Sequence, residues 1–412
     1  MTRVVITGMG VVAPLGNDVE TFMRRVLAGE LGIGPITKFD SQATGVSVAA
    51  EVVDFDVTKR VGKKKAKRMD LFSQYALDSA LAAMAQADIT PENTDPADMG
   101  VIYGSGIGGL TTIQEQVTRM VEKGADHISP MFVPKSIGNM AAANIAIEIG
   151  AQNICTTIVT ACSSGANAIG EAYRQIKEGR AQVMVTGGSE ASINEIGIGG
   201  FAALSTLSTA TDPAQASLPF DARRQGFVMG EGGATLILES LEHAQAHNAT
   251  ILGEITGYGT NCDAYHMTSP NPNGEVAARA MKMAIAESQI TPADVDYVNA
   301  HGTGTIANEL AESAALQRVF GTDNKVQVSS TKSMTGHLLG AAGALEAVIT
   351  VGALTAGILP PNVGLQTPDP DCQVNLIREP QSAPDAQYGM SNSFGFGGTM
   401  QFWCSRNGAI KA

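Results

Sequence analysis

The 412-residue sequence predicts an α/β protein with covered sheets, organised as two packed halves. Three observations carry that expectation. Short β-branched apolar runs alternate with Ala-rich helical segments along the chain, the pattern of strands buried on both faces. The length exceeds the roughly 250–300 residues at which one hydrophobic core stops growing. One pattern also occurs twice: residues 156–176 (TTIVTACSSGANAIGEAYRQI) and 326–349 (VQVSSTKSMTGHLLGAAGALEAVI) each read as strand, polar turn and small-residue helix. The echo fits a duplication, and equally a coincidence between any two α/β units.

Taken in order, the strands are expected at residues 3–7 (RVVIT), 99–103, 156–159, 182–186, 234–238, 296–299 and 327–330. Helices are expected at 70–87, 166–178, 274–288, 309–320 and 340–351, where Ala, Leu and charged residues dominate. No long linker or low-complexity stretch divides them. The halves are placed at residues 1–250 and 251–412, with an indistinct seam near 241–252.

Composition excludes several classes. Lys+Arg 27 against Asp+Glu 40 gives a net charge of −13, opposite in sign to a nucleic-acid footprint. Hydrophobic content of 44% with 16% charged residues is too apolar for disorder. Five cysteines without C-x-x-C spacing make neither a disulfide framework nor a structural zinc site, which points to a reduced, cytoplasmic protein. The N-terminus lacks the apolar core of a signal peptide. The run 338–361 is long enough to span a bilayer, but Glu346 sits in its middle and Ala and Gly dominate it. It is expected to be a buried core helix, without membrane insertion.

Two glycine-rich stretches invite a nucleotide-binding reading and fail it. TGMG (7–10) is followed by Val12 and Pro14 where a dinucleotide turn needs glycines, and GSGIGG (104–109) has no acidic residue about twenty positions on. Tyr173 and Lys177 show Y-x-x-x-K spacing, a common accident on an amphipathic helix. The glycines are expected to bring backbone close to backbone, or to a substrate chain.

The chemistry-bearing residues are few. Cys162 sits in TACSSG between a strand and a helix, where the helix dipole favours thiolate by about 0.3–1 kcal/mol, or about 2 when partly buried. That is one pKa unit or so, and further activation has to come from neighbours. His301 lies in HGTGT after a strand, followed by Gly302 and Gly304, which permit a tight turn. Lys332 and His337 precede the small-residue helix, and Glu346 is the natural counter-charge for a lysine beside a buried run. One Cys and two His near strand ends suit acyl transfer through a thioester. A peptidase would use the Cys–His pair but leave the second His and the Lys without a task.

These segments resemble the β-ketoacyl-acyl-carrier-protein synthases, and VVITGMGVVAPLG, GSGIGGL, PFDARRQGFVMGEGG, DAYHMTSP and SNSFGFGGT agree with the type II elongating subgroup over nearly the whole chain. The resemblance implies the thiolase fold, two similar α/β halves in a five-layered α-β-α-β-α arrangement. It implies a decarboxylative Claisen condensation in fatty acid biosynthesis, with no cofactor beyond the phosphopantetheine that arrives on acyl carrier protein. It implies a homodimer. Cys162 would be the nucleophile, its N–H and that of Phe394 the oxyanion hole, with Phe394 also the gating aromatic. His301 and His337 would bind the malonyl thioester carbonyl, with Lys332 anchored through Glu346. Thr268, Thr303 and Thr305 match positions that contact the pantetheine arm; Ile107 and Phe201 match the acyl-pocket lining. Asn299, Glu346, Ser391 and Asn392 match a place where some members hold a monovalent cation.

Departures from the family pattern are Ile306, Glu309, Ala210, and Met400 with the tail QFWCSRNGAIKA. A chain-length factor would lack the Cys, and a thiolase would carry a second catalytic Cys in a C-x-G setting. A ketosynthase of a polyketide or aryl-polyene pathway shares every catalytic residue and stays open. Lys63, Lys64, Lys65, Lys67 and Arg68 form a basic window in an acidic chain. A charge run is usually a solvated helix face; the resemblance makes this one the dock for the acidic carrier.

Overall fold

The computed structural model describes residues 2–322 and 325–408. Ten strands form one mixed sheet: β1 (Val4–Val12), β2 (Met99–Gly104), β3 (Cys155–Ile158), β4 (Val183–Glu190), β5 (Gly232–Ser240), β6 (Gly253–Cys262), β7 (Tyr297–Asn299), β8 (Gln327–Ser329), β9 (Tyr388–Gly395) and β10 (Thr399–Asn407). Their spatial order is β8-β7-β9-β10-β6-β1-β5-β4-β2-β3. Read outward from the β1–β6 pair, each side runs first, fifth, fourth, second and third strand of its own half. Pairing directions repeat too: β2, β3 and β4 are mutually parallel, as are β7, β8 and β9, while β5 and β10 run antiparallel to their neighbours. The join is short, Val4↔Ile255 to Ile6↔Gly253.

Helices fill three layers around this sheet. Outside the first half lie α1 (Leu71–Ala87) and α2 (Met140–Ile149), sharing a core with Val101, Tyr103, Val183 and Val185. Between the halves lie α3 (Ser164–Lys177) and α6 (Ala342–Ala356), and outside the second half lie α4 (Glu275–Glu287) and α5 (Ile306–Phe320). The result is the five-layered α-β-α-β-α thiolase fold. The boundary at 250/251 falls in the connection between β5 and β6.

Glycines let these layers approach. A Cβ on Gly8 or Gly10 of β1 would sit 2.2 or 1.9 Å from the carbonyl oxygens of Ala83 and Ser79 on α1. Gly257 and Gly259 of β6 stand in the same relation to Ala284 and Ala280 on α4, at 2.1 and 2.0 Å. TGMG is thus strand interior pressed onto a helix, not a turn. In the central layer, Gly165 and Ala166 face Gly343 and Ala344, close enough that a Cβ on Gly343 would meet that of Ala166 at 2.7 Å. Small residues set the spacing of α3 and α6. The window Leu339–Ala356 is apolar and long enough to cross a membrane, yet 89% of it is buried inside the protein.

The two halves differ at their outer edges. The edge of β8 is covered by an extended segment: Val328 N–H donates to Asn375 O at 2.9 Å, and Ile377 N–H to Val328 O at 2.9 Å. The edge of β3 is open among the described residues, with Cys155 exposed and Ile154 and Val159 beside it 37% and 62% exposed.

Candidate active site

Cys162 follows β3 through a strained turn. Ala161 holds φ +51°, a left-handed conformation that costs a non-glycine residue about 1–2 kcal/mol. Its neighbours hold it there: Ser164 Oγ donates to Ala161 O at 2.6 Å, Ser163 Oγ to Thr160 O at 2.8 Å, and Thr399 Oγ1 to the same carbonyl at 3.2 Å. The paired serines after the cysteine are the locks of this turn. Leu339, at φ +49° three residues before α6, repeats the turn in the second half, where Gly340 takes the place of the cysteine.

His301 leaves β7 on a loop whose shape is set by two buried carboxylates of α5. Glu312 accepts the N–H groups of His301 and Gly302, each at 2.8 Å, and Glu309 accepts Gly304 N–H at 2.9 Å. Gly302 and Gly304 have φ of +35° and +85°, which explains the glycines around the histidine. Glu309 is itself matched by the buried Arg224 at 3.1 Å, so the departure at this position retains a paired carboxylate. His337 is pinned by backbone pairing: its N–H donates to Val228 O at 2.7 Å, and Gly230 N–H to its carbonyl at 2.8 Å. This gives the PFDARRQGFVMGEGG segment its structural purpose.

The two imidazoles stand edge to face with ring centroids 5.3 Å apart, and Phe227 and Phe394 pack against them at 5.2 and 5.6 Å. Burial, with the charge of Lys332 adding to it, holds both histidines well below their ordinary pKa, so both are neutral. Nδ1 of each ring is buried and has no hydrogen-bond partner among the described residues, leaving Nε2 to meet a ligand. An unpaired lone pair costs less than an unpaired N–H, which places the proton on Nε2 as a donor. Behind them Lys332 pairs with Glu346 in the core, their side chains 1% and 3% exposed. Burial pushes Glu346 up to about 7, against the attraction of the lysine.

A cavity of about 230 Å³ joins these groups: Cys162, His301 and His337 line it, with Thr268, Thr303, Thr305 and Phe201 toward its walls. Burial pushes the Cys162 thiol up to about 12, against the pull of Lys332 and of two backbone N–H groups, its own and that of Phe396. Phe394 also lines the cavity, but the expectation that its amide serves the thiol is corrected: that amide is the one of Phe396. Phe394 lies inside β9, buried against His301 and Phe402, whereas Phe396 falls in the turn between β9 and β10 and faces the thiol and Phe201. The pairs Phe394↔Met400 and Gly395↔Thr399 close the strands, so only 396–398 are free of the ladder. The signal was present: of two phenylalanines, Phe396 is the one with glycine on both sides.

Ile107 is also not where it was expected. It does not line the cavity, and the residue is 40% exposed. Asn299 and Ser391 are register partners on β7 and β9, and Asn392 follows. Glu346 Oε2, Ser391 Oγ and Asn392 Oδ1 are buried oxygens without a partner among the described residues, suited to a cation; the orphan of Asn299 is its Nδ2, which is not. The basic window is a short helical turn, Lys63–Ala66, and its flank; all five cationic residues are exposed, with Lys65 paired to Glu148.

A buried thiol facing two amides, beside two neutral imidazole donors and a buried lysine, defines a condensing enzyme of the thiolase fold that works through a cysteine thioester. Residues 1–244 match the family described as "Beta-ketoacyl synthase, N-terminal domain", and residues 252–366 match "Beta-ketoacyl synthase, C-terminal domain". The chain is 44% identical over 398 residues to 3-oxoacyl-[acyl-carrier-protein] synthase 2 of Synechocystis sp., covering 96% of each. It is 45% identical over 397 residues to the Staphylococcus aureus protein of that name, again covering 96% of each. Among solved structures, a β-ketoacyl synthase from Burkholderia phymatum superposes with TM-score 0.92 at 36% identity, covering 99% of this chain and 100% of that one. A ketosynthase bound to a hexaketide, in complex with its type II PKS acyl-carrier protein, superposes with TM-score 0.90 at 33% identity, covering 98% and 99%. The chain belongs to the β-ketoacyl synthase family, and it is an acyltransferase of fatty acid elongation.

Proposed function

We propose that this chain extends carrier-bound acyl groups by two carbons from malonyl-acyl-carrier protein, in the cytoplasm, with Cys162 as nucleophile. The observation that carries the roles is the shared cavity: the thiol faces the amides of Cys162 and Phe396 while His301 and His337 line the same space. In the first half-reaction Sγ attacks the acyl thioester carbonyl of the carrier's phosphopantetheine, and the two amides hold the oxyanion. Collapse expels the pantetheine thiolate, which takes the proton that the cysteine gives up. Malonyl thioester then binds with its carbonyl oxygen between His301 and His337. Loss of CO₂ leaves the electron pair on an enolate that these neutral donors stabilise. The enolate carbon attacks the acyl-enzyme carbonyl, the Cys162 thiolate leaves, and a proton taken up from solvent restores the thiol.

Decarboxylation drives the step, so the chemistry calls for no redox cofactor or catalytic metal. Phe396, with glycine on both sides, is the aromatic suited to gate between the acyl and malonyl states. Thr268, Thr303 and Thr305 suit the pantetheine arm at the cavity wall. Glu346, Ser391 and Asn392 supply the oxygens for a structural monovalent cation.

The partners follow from two surfaces. Lys63, Lys64, Lys65, Lys67 and Arg68 offer a positive dock on a chain of net charge −13, complementary to an acidic acyl carrier protein. The open edge of β3, flanked by exposed Ile154 and Val159, suits antiparallel pairing with a second copy. Structural relatives also include a type II PKS ketosynthase and a ketosynthase/chain length factor, but at 33% and 32% identity against 44–45% for the 3-oxoacyl-[acyl-carrier-protein] synthase 2 relatives. An elongation assay across saturated, unsaturated and aromatic acyl carriers tests the pathway: fatty acyl carriers should be elongated, and turnover confined to aromatic or polyketide starters would reverse it. Lys65→Glu with Arg68→Glu should raise the carrier KM and flatten its salt dependence. An unchanged KM would remove this patch as the dock.

A further inference from the structure

Away from the cavity, the end of β5 and the helical turn after it (Leu241–Ala246) gather Glu239, His243 and His247, none of which lines the catalytic pocket. We propose that these three residues form a binding site for a divalent transition metal ion, zinc being the chemistry that fits best. The spacing E-x-x-x-H-x-x-x-H carries one carboxylate and two imidazoles onto one side of a strand–helix junction. One potential ligand atom from each lies within 4.8 Å of the other two. Glu239 Oε2 is approached by His243 Nδ1 at 2.5 Å and by His247 Nε2 at 2.9 Å. A tetrahedral zinc with bonds of about 2.0–2.1 Å separates its ligands by roughly 3.3 Å, so a small retreat of the carboxylate makes room.

Two of the three residues have the outer contacts that metal ligands carry, while Nδ1 of His247 is buried without a hydrogen-bond partner among the described residues. His243 presents its other nitrogen, Nε2, to Asn93 O at 3.1 Å and to Thr94 Oγ1 at 3.2 Å, which fixes the ring and leaves Nδ1 as the inward ligand. The second oxygen of Glu239 accepts the hydroxyl of Thr7. Thr7 is the extra residue of a bulge in β1, where pairing with β5 passes from Ile6↔Leu238 to Gly8↔Ile237, and the bulge aims its side chain at this carboxylate. Glu239 is fully buried, but the histidine side chains keep 13% and 9% exposure, enough for an ion to enter from solvent and find a fourth, open position. The bound ion would tie β1, β5 and the loop after α1 together. Without metal, the same atoms form a proton-sharing Glu–His–His cluster, and the experiment has to separate the two.

The full-length protein is stripped with a chelator, dialysed against buffered Zn²⁺, and its metal content compared with His247→Arg and His247→Gln. Arginine keeps a donor to Glu239 but cannot ligate, so the fold is retained while the site is removed. Wild type should hold one more zinc per chain than either variant, and Zn²⁺ should raise its thermal midpoint more than theirs. Equal zinc content in wild type and folded variants would overturn the proposal and leave a proton-sharing cluster. Co²⁺ added to wild type gives a reading that needs no variant. A tetrahedral visible band without thiolate charge transfer is expected; its absence, or a spectrum of thiolate ligation alone, refutes the site.

Discussion

Glu346→Gln removes the charge opposite Lys332 without changing the shape of the core. Both side chains are almost fully buried, so the substitution leaves an ammonium without a counter-charge in a low-dielectric interior. Breaking such a pair from one side costs about 3–5 kcal/mol. At about 2 °C per kcal/mol for a large chain, the thermal midpoint should fall by roughly 6–10 °C. The comparison belongs at about pH 8, because burial raises the Glu346 carboxyl to about 7 and its charge is complete only above that. The double variant Lys332→Met/Glu346→Leu removes both charges at similar volume and should recover most of the lost stability. Activity should not follow. Lys332 is the largest influence lowering the Cys162 thiol and a secondary one holding both imidazoles neutral. Without it the thiol rises further, and each pKa unit removes tenfold of the thiolate. Iodoacetamide labelling of Cys162 and the condensation rate should both stay depressed while the midpoint recovers. A double variant that regained activity along with stability would show the pair to be only structural, and an unshifted midpoint in Glu346→Gln would contradict the burial argument.

Two further outcomes follow from the same geometry. Phe396→Ala should impair acyl-enzyme turnover, whereas Phe394→Leu should cost about 1–1.5 kcal/mol of stability and leave acylation of Cys162 near wild type; the reverse result in a labelling assay would return the gating role to Phe394. The histidines, depressed below their unfolded value near 6.5, give stability that is full above that pH and is lost as pH falls below it. Each contributes a slope of up to about 1.4 kcal/mol per pH unit, so urea unfolding of His301→Asn/His337→Asn should show a flatter acid limb than wild type, and parallel limbs would mean the rings are already charged.

Seven of the ten strands of the large sheet were legible because they are β-branched, apolar runs, and all five expected helices formed with modest shifts at their ends; the four two-residue strands outside that sheet were not. The three missed strands of the large sheet, β6, β9 and β10, hide their pattern for physical reasons. GEITGYGTNC spends its inward positions on glycines pressed against α4, and YGMSNSFG carries buried Ser and Asn beside the active site. The tail QFWCSRN, read as an oddity, is the body of β10, with Trp403 fully buried beside the central layer. The remainder of that tail, residues 409–412, lies outside the described residues. Cys162, His301, His337, Lys332 and Glu346 were found because nucleophile, imidazoles and charge pair stand in glycine- and serine-rich turns whose chemistry shows in one dimension. Phe396 was missed because choosing between two phenylalanines two residues apart needs the register of a strand that had not been recognised. Ile107 does not line the Cys162 cavity, and the open β3 edge belongs to a surface that a single sequence does not draw.

The central claim is that Cys162 carries the acyl group and surrenders it to a carbanion made by decarboxylation. Peptide mass mapping after incubation with acyl-carrier protein tests it most directly. The account predicts an acyl mass on Cys162 alone, discharged as 3-oxoacyl-carrier only when malonyl-carrier is added, and absent in Cys162→Ala. An acyl label on Cys155, Cys262, Cys372 or Cys404, or a labelled Cys162 that malonyl-carrier leaves untouched, would contradict it.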